Sequence, residues 1–525
     1  MPGRLGASLP RVPGGIYTAA VLSAVLAVGA APPSPLPLLT IVALAPLAAA
    51  LASLTPDRAG RLRALRAGAL HGAVQWGLLL LWVPRAGLRV GAWVVPGWIA
   101  MVGSLAILAA LAAAAFHHLS TRARWPLWAA AGIAWGGVEW VRASGLGPMS
   151  FPWMGMALPL VGIPSLAQGA AVVGEIGLAL MVAACGGWVA QALRAPRERG
   201  LRALVGVAAV VLLTSAAGAV RMAVVAPEPV ARVLLVQPAV PLAVKRGDPA
   251  VALTASLEAV EAALPPPAPP VAPPVGGDLV VLPETAVPTR LDGDGVGALR
   301  ERVAGWARRM GAPIAVGAWA EGPGRGGNAV FVAGGDPEAE WPVSWKVRLV
   351  PGVEWTAGLP DGVARGTAPQ VLAMGNGRQF APLVCIEAAG ASPARELVRS
   401  GAEILVNVTN DAWLAEAPWW TRTAAFHQHP AHLAMRAIEL GVGGVRVGNN
   451  GRTETVDPVG VRSLVLPAHV PGQISVAVER LPDETLFTRG AVPFGPPVLF
   501  LSIVGLGLLG RRGAAPGRDE GVDRG

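Results

Sequence analysis

The chain has 525 residues, of which 53% are hydrophobic and only 14% are charged, and its formal net charge is +9. So high an apolar fraction excludes an ordinary soluble protein and indicates several membrane-spanning segments. The positive charge comes from arginines spread along the chain rather than from a basic cluster interleaved with aromatic residues, so it does not predict a nucleic-acid partner.

Long uncharged apolar segments dominate the first 225 residues. Each approaches the roughly 20 residues that a helix needs to cross a bilayer. We predict seven spans there and an eighth near the end of the chain: 14–31, 36–55, 67–83, 90–117, 126–144, 166–192, 203–225 and 492–510. The first segment lacks a convincing small-residue cleavage site and more spans follow it, so we interpret it as a retained span rather than a signal peptide.

Arginines in the short loops predict the orientation of these spans. Loops rich in Lys and Arg usually stay on the cytoplasmic side of the membrane. If the N-terminus is cytoplasmic, the arginine-rich loops at 58–66, 122–124 and 194–202 also lie inside, whereas Arg85, Arg89 and Arg142 lie outside. We therefore expect a multi-pass membrane protein that carries residues 226–490 on its outer face.

Residues 226–490 read as an α/β layered domain, because short apolar runs alternate there with helical stretches. The runs are 231–237, 277–285, 313–320, 328–334, 380–388, 402–411, 443–451 and 472–478, and the helical stretches are 249–263, 295–310 and 420–440. A proline-rich run at 264–277 predicts a solvated loop. The expected organisation is a seven-span domain (1–225), an extracytoplasmic α/β domain (226–490), and a final membrane helix with a cytoplasmic tail (491–525).

Cys385 ends an apolar run in the stretch FAPLVCIEAAG. The chain has one other cysteine, Cys185, inside the sixth predicted span, so no disulfide framework is expected. An apolar run that stops at Cys-Ile-Glu is typical of a strand-to-helix turn, which presents a nucleophile beside free backbone amides. The alternative is a buried cysteine that acts only as a small hydrophobe.

Lys346 and Glu284 are the other candidates for chemistry. Lysine occurs only at 245 and 346 in a chain that otherwise uses arginine, so Lys346 suggests a site that needs a compact ammonium group. The alternative is a surface lysine. Glu284 follows an apolar strand, where sites form in α/β domains, although a helix-capping or ion-paired glutamate is equally compatible. The three residues together supply a base, a cation and a nucleophile.

These residues resemble a known family. LPET, WKVRLVP and LVCIE look like the Glu-Lys-Cys triad of the nitrilase superfamily. FPWMG, VQPAVP, GNAV, LVPGVEW, NVTNDAW, MRAIEL and NNG are similar to stretches of its membrane branch, the bacterial apolipoprotein N-acyltransferases. The resemblance implies a transmembrane bundle of about eight helices joined to a nitrilase-like αββα sandwich.

The resemblance also implies a reaction. An acyl chain passes from a membrane phospholipid to Cys385 as a thioester, and the N-terminal amine of a diacylglyceryl-cysteine apolipoprotein then accepts it. Glu284 is implied as the general base, and Lys346 with the backbone amide of Ile386 as the oxyanion donors. The implied partners are the donor phospholipid, the acceptor apolipoprotein and the bacterial inner membrane. No cofactor, metal or nucleic acid is expected, and the protein is expected to be a monomer.

Five further positions match supporting residues of the family. Glu354 and Glu387 match acidic residues near the site, and the alternative for both is an ion pair that orients a loop. Trp413 is implied to line the acyl pocket, although an aromatic residue near a site is as often part of the core. Asn328 and Asn410, in the GNAV and NVTNDAW stretches, are supporting or substrate-binding candidates.

The chain departs from the family pattern at Arg246, Val353, Trp355, Ile386 and Leu414-Ala415. These changes concern donor preference and rate, and they leave the triad complete. Three rival interpretations stay open. The first is a membrane-tethered amidase that gives the acyl group to water, and the second is a metal site at His427, His429 and His432. The third is a catalytically silent homologue.

Overall fold

The computed structural model describes residues 15–87, 91–266, 276–322, 326–350, 354, 363–411, 414 and 419–490. The eighth predicted span, at 492–510, lies outside the described residues, as does most of the proline-rich run. Trp413, Val353 and Trp355 also lie outside them.

The described residues before 225 are largely helical. The helices are α1 (Gly15–Ala30), α2 (Leu39–Ala43), α3 (Ala45–Leu51), α4 (Arg58–Leu79), α5 (Trp82–Gly87), α6 (Val94–His117), α7 (Leu127–Trp140), α8 (Pro164–Ala167), α9 (Ala170–Arg194) and α10 (Arg197–Val224). Helices α6 and α7 continue as π-helical turns over His118–Arg122 and Val141–Gly145. All seven predicted N-terminal segments are therefore helical over much of their length.

By length and composition, three of the described helical segments could cross a membrane: Val94–Arg122, Ala170–Arg194 and Arg197–Val224. The other apolar segments are shorter, because α1 has 16 residues and the second segment is broken into α2 and α3. Helix α4 is long enough, but arginines occupy its first turns. The membrane character of the N-terminal region is thus clear, while the count of eight spans stays a prediction.

The described residues after 225 form two six-stranded sheets. Their strands are β1 (Glu228–Gln237), β2 (Leu279–Val281), β3 (Ile314–Ala320), β4 (Gly327–Ala333), β5 (Val343–Trp345), β6 (Leu372–Ala373), β7 (Gln379–Val384), β8 (Ile404–Thr409), β9 (Gly444–Gly448), β10 (Thr453–Val456), β11 (Arg462–Leu466) and β12 (Gly472–Arg480). The first sheet has the order β12-β1-β2-β3-β4-β5 and the second β11-β10-β9-β8-β7-β6. The eight predicted strands are present, and four short ones were not predicted.

The two sheets pack face to face. Alternate residues of each strand point to opposite faces, so Val233 and Leu235 of β1 pack between the sheets against Val406 and Val445 of the second sheet. Leu234 points to the other face, where helices cover the first sheet. Both faces of the central strands are therefore buried, which explains their continuous apolar sequences.

Helices cover the outer faces of this sandwich. They are α11 (Leu242–Lys245), α12 (Pro249–Ala263), α13 (Gly297–Met310), α14 (Ala391–Arg399), α15 (Trp419–Leu440) and α16 (Leu486–Arg489). Helices α12 and α13 pack on the first sheet, and α14 and α15 pack on the second. The fold is the predicted αββα sandwich.

The second sheet's helical layer is continuous with the N-terminal helices. Leu433 and Ile438 of α15 share one apolar core with Trp82, Trp153 and Leu178. Arg436 of α15 also donates a hydrogen bond to Glu175 of α9. The sandwich therefore packs against the N-terminal helices through α15.

Candidate active site

Cys385 lies at a sharp turn between a strand and a helical turn. Strand β7 ends at Val384, and a single turn of 3-10 helix covers Cys385–Ala389. The backbone φ of Cys385 is +53°, in the left-handed region that non-glycine residues rarely adopt. The strand-to-helix turn predicted from the sequence is confirmed, and its strained residue is the cysteine itself.

Glu284 lies just beyond β2 and is nearly buried, with 6% of its surface exposed. Its Oε1 accepts hydrogen bonds from Nδ2 of Asn328, at 2.6 Å, and from Nζ of Lys346, at 3.2 Å. Its Oε2 accepts one from the backbone N–H of Asn410, at 2.8 Å. Because donors fix both oxygens, the carboxylate has one orientation. The two asparagines predicted as supporting residues both contribute to it.

Lys346 follows β5 and is fully buried. Its Nζ lies 3.2 Å from Oε1 of Glu284 and 2.7 Å from Oε1 of Glu354. Burial alone would lower the pKa of the Lys346 ammonium, but the carboxylates of Glu284 and Glu354 outweigh burial and hold the pKa well above its ordinary value. Lys346 is therefore a permanent cation between two carboxylates, and a surface role is excluded.

Glu354 and Glu387 have different environments. The second oxygen of Glu354 accepts the backbone N–H of Val350, at 2.8 Å, so this residue ties the loop after Lys346 to the ammonium group. Glu387 instead accepts backbone N–H bonds from Val384 (2.7 Å), Val347 (2.7 Å) and Arg348 (3.0 Å). Glu387 thus connects the end of β7 to the residues that follow Lys346.

Burial affects the protonation of two groups at this turn. It raises the pKa of the Cys385 thiol, and the nearby Glu284 carboxylate raises it further, against the opposing effect of Lys346. The resting residue is therefore a thiol, which needs a base before it can act as a nucleophile. Burial also raises the pKa of Glu387, to about 7, although its backbone hydrogen bonds favour the carboxylate.

A cavity of about 400 Å³ contains Cys385, Glu284 and Glu354. The rest of its wall is mostly apolar and comes from both parts of the chain. The lining includes Trp82, Val83, Val94, Met101, Phe151 and Trp153 from the N-terminal region and Leu242, Trp319, Val350, Ile386 and Leu414 from the sandwich. The reactive groups therefore face a space that suits a long apolar ligand.

A second network, which the sequence did not predict, holds the main chain of Cys385. The carbonyl oxygen of Cys385 accepts a hydrogen bond from Nδ2 of Asn407, at 3.2 Å, and lies 3.0 Å from Nε2 of His429. Arg446 contacts both His429 and Asp411. Burial acts to raise the pKa of the Asp411 carboxyl group, but the guanidinium group of Arg446 outweighs burial, and the pKa falls to about 2. One sequence feature could have indicated this network: Asn407 lies on strand β8, and Asp411 follows the end of that strand.

The histidine cluster has contacts that do not resemble metal coordination. His429 and His432 both pack against the ring of Trp153, with centroids 5.3 and 5.1 Å away, and His432 accepts a hydrogen bond from the backbone of Met154. Within the described part of the chain, no group of three His, Cys, Asp or Glu side chains is placed to hold a metal ion. His429 and His432 are therefore part of the packing between α15 and the N-terminal region.

Two domain families match the chain in order. The Apolipoprotein N-acyltransferase N-terminal domain matches residues 23–188, and the Carbon-nitrogen hydrolase domain matches residues 232–468. The solved structure of an amidase from Nesterenkonia sp. aligns with 51% of this chain and 95% of its own, at 21% identity and a TM-score of 0.32.

Curated relatives extend over most of the chain. The apolipoprotein N-acyltransferase of Sinorhizobium medicae is 30% identical over 448 residues, which is 79% of each protein. Those of Sinorhizobium fredii and Geobacter metallireducens are 30% identical over 403 residues and 29% identical over 479 residues, with 71% and 85% of the relatives covered. Both halves of the chain and the length of these alignments agree: the protein belongs to the apolipoprotein N-acyltransferase family.

Proposed function

We propose that this enzyme transfers a fatty acyl chain from a membrane phospholipid to the N-terminal amine of an apolipoprotein, through a thioester on Cys385. The observation that carries the proposal is the position of the Glu284–Lys346 pair, 3.2 Å apart, in a cavity shared by Cys385 and apolar side chains of the N-terminal helices. A soluble substrate does not need such a wall, whereas an acyl chain does.

In the first half-reaction, Glu284 takes the proton of the Cys385 thiol, and the thiolate attacks the ester carbonyl carbon of the phospholipid. Lys346 and the backbone N–H of Ile386 stabilise the oxyanion of the tetrahedral intermediate. The intermediate collapses to a thioester, the bond to the glycerol oxygen breaks, and Glu284 returns the proton to that oxygen. A lysophospholipid leaves.

In the second half-reaction, the α-amine of the diacylglyceryl-cysteine attacks the thioester carbon. Glu284 accepts a proton from the amine as the new amide bond forms, and the carbon–sulfur bond breaks with the thiolate as leaving group. The proton then returns to Cys385. Glu284 is the base in both half-reactions. Its fixed orientation, held by three hydrogen-bond donors, suits it to this role.

Glu354 and Glu387 serve this mechanism as positioning residues. Glu354 binds the ammonium group of Lys346 together with Glu284, and Glu387 fixes the backbone at Val384 and at Val347. Burial raises the pKa of the Cys385 thiol, so catalysis depends on proton transfer to Glu284 when the substrate is bound. A free thiolate at rest is not part of the scheme.

Intact-mass measurement of the purified full-length protein with phospholipid tests this function. We expect an acyl adduct on the wild type and on Cys185→Ser but none on Cys385→Ala, and we expect a diacylated lipopeptide to discharge it as triacylated peptide. An adduct discharged only to water would replace the proposal with a membrane-tethered amidase. No adduct from any donor would indicate a catalytically silent protein.

We also propose that eight spans hold the sandwich on the outer face of the inner membrane, as the arginine-rich loops indicate. A membrane-impermeant maleimide added to intact spheroplasts should label Arg308→Cys, on α13, but not Arg61→Cys, in the first turns of α4. The reverse labelling pattern would show that the sandwich lies on the cytoplasmic side and would contradict the proposed topology. The proposal is supported by the cavity wall, part of which comes from the N-terminal helices.

A further inference from the structure

The residue that follows the base Glu284 has a strained backbone. Thr285 has a φ of +49°, in the left-handed region, where a β-branched residue is an outlier. Such a conformation costs free energy and persists only when surrounding contacts hold it. Because Glu284 and Thr285 share a peptide group, the contacts that hold Thr285 also determine where the Glu284 carboxylate lies.

Lys245 holds this backbone from a different part of the sandwich. It is the last residue of α11, in the segment that follows β1. Its Nζ donates a hydrogen bond to the carbonyl oxygen of Thr285, at 2.8 Å, and lies 3.4 Å from the hydroxyl oxygen of the same residue. Both residues line the cavity that contains Cys385. The side chain of Lys245 therefore reaches the main chain immediately beyond the base.

The turn that contains Glu284 has little room to relax. The Nδ2 of Asn410 donates to the hydroxyl oxygen of Thr285, at 3.2 Å, while the backbone N–H of Asn410 donates to Glu284. Gly317 of β3 packs directly beneath the turn, since a Cβ there would overlap the carbonyl oxygen of Pro283 and lie 2.7 Å from Cα of Glu284. A shift of Thr285 would therefore be transmitted to the carboxylate or break its bond to Asn410.

The contact between Lys245 and Thr285 does not require a permanent charge. Burial lowers the pKa of the Lys245 ammonium group to about 7, although the Glu284 carboxylate acts in the opposite direction. A neutral amine still carries N–H groups, so it can donate to a carbonyl oxygen as the ammonium group does. The hydrogen bond to Thr285, rather than a fixed cation, is the feature that the structure presents.

We propose that Lys245 is a positioning residue for the general base. By holding the carbonyl group of Thr285, it keeps this backbone in the left-handed region and keeps the Glu284 carboxylate aligned for proton transfer from Cys385. The inference rests on the proposed function, because Glu284 is the general base in that reaction. Lys245 acts through Thr285 and Glu284 and does not itself bind the donor.

Single-turnover acylation of Cys385 by phospholipid, followed by intact mass over a range of donor concentrations, tests this role in the full-length protein. Lys245→Met removes the hydrogen-bond donor. We expect the maximal acylation rate to fall by about tenfold, the equivalent of one hydrogen bond, with the half-saturating donor concentration unchanged. Lys245→Arg keeps an N–H donor and should recover part of the rate. Arg308→Met removes a cation from an exposed position on α13 and should keep the wild-type rate.

A second background separates the backbone contact from an effect of charge. Asparagine adopts a positive φ more readily than threonine, and Thr285→Asn keeps a side-chain oxygen that can face Asn410. If Lys245 acts by holding the strained backbone, Lys245→Met should slow acylation by only about threefold in the Thr285→Asn protein, because coupled residues are not additive. The same tenfold loss in both backgrounds would show that Lys245 acts on Glu284 by its charge, and would overturn the proposal.

Two other results would also count against Lys245. Equal maximal rates in the wild type and Lys245→Met would remove the positioning role while leaving the acyltransferase function in place. A higher half-saturating donor concentration at an unchanged maximal rate would show that Lys245 binds the donor instead. A wild type that forms no adduct with any phospholipid would remove the proposed function and this inference with it, so the two failures are distinguishable.

Discussion

Nε2 of His429 lies 3.0 Å from the carbonyl oxygen of Cys385, the residue whose backbone is held at a φ of +53°. The other ring nitrogen, Nδ1, lies 2.9 Å from a guanidinium nitrogen of Arg446 and 3.6 Å from the nearer oxygen of Asp411. Because arginine can only donate, Nδ1 must accept, and the ring proton is on Nε2. His429 therefore donates to the carbonyl group of the nucleophile and helps to hold its strained turn.

Replacing His429 should slow acylation through the position of Cys385. His429→Leu removes the donor, and we expect kcat for adduct formation to fall by about tenfold, the equivalent of one hydrogen bond. His429→Gln keeps a donor at a similar reach and should recover part of the rate. His427→Leu, two residues earlier on α15 and only half-buried, is the control and should keep its rate. Equal rates for the Leu and Gln variants at position 429 would show that the hydrogen bond does not position the nucleophile.

Replacing Glu387 should destabilise the connection between the two sides of the site. In Glu387→Gln an amide N–H₂ group faces either the N–H of Val384 or the N–H groups of Val347 and Arg348, so at least one buried donor loses its acceptor. The expected loss of unfolding free energy is about 1–3 kcal/mol. Thermal unfolding in detergent measures it, with the exposed Glu396→Gln as control. A melting temperature equal to that of the control would contradict the bridging role.

Removing Arg436 should weaken the contact between the sandwich and the N-terminal helices. Its guanidinium group lies 2.6 Å from Glu175 and 2.9 Å from Glu439, and all three side chains are buried. Arg436→Met leaves two buried carboxylates without their cation, at a cost of about 3–5 kcal/mol. Adding Glu175→Gln and Glu439→Gln to Arg436→Met should restore part of the stability.

The control for Arg436 is the exposed pair between Arg308 and Glu301. Arg308→Met should change the unfolding free energy by less than about 1 kcal/mol, as exposed ion pairs do. Chemical unfolding followed by tryptophan fluorescence gives both values. If Arg436→Met and Arg308→Met were equally stable, the buried network would not stabilise the interface.

Glu439 should make stability depend on pH. Burial raises the pKa of its carboxyl group from 4.5 to about 7, against the opposing effect of Arg436. The folded protein therefore binds more protons than the unfolded chain between these values, and the stability present below pH 4.5 is lost as the pH rises through 7. Glu439→Gln does not titrate, so its stability relative to the wild type should improve from pH 5 to pH 8.

The comparison with the wild type at each pH cancels the titration of the other buried groups, which both proteins share. Unfolding free energies at pH 5, 6, 7 and 8 give the difference, and Glu301→Gln serves as the exposed control with a flat difference. A constant difference between Glu439→Gln and the wild type would mean that Glu439 keeps an ordinary pKa in the folded protein.

The sequence by itself identified the three reactive residues and the strands and helices around them. Glu284 and Cys385 each stand at the end of a local apolar run, and such runs predict strands from the local sequence alone. Lys346 was identified by the rarity of lysine in this chain. Eight strands and the helices at 249–263, 295–310 and 420–440 followed from the same local patterns. The strands β5, β6, β10 and β11 did not, because short strands are defined by pairing with neighbours rather than by their own sequence.

Only the tertiary structure decided how these residues act together. The spacing of His427, His429 and His432 suggested metal ligands, but neighbouring positions on a helix point in different directions, and Arg446 and Trp153 determine what His429 contacts. The donors to Glu284 come from strands and loops far apart in the chain, and the apolar wall of the cavity comes from the N-terminal helices. Local patterns can place a reactive side chain at the end of a strand, but its partners, protonation and access depend on burial and charge, which long-range packing alone creates.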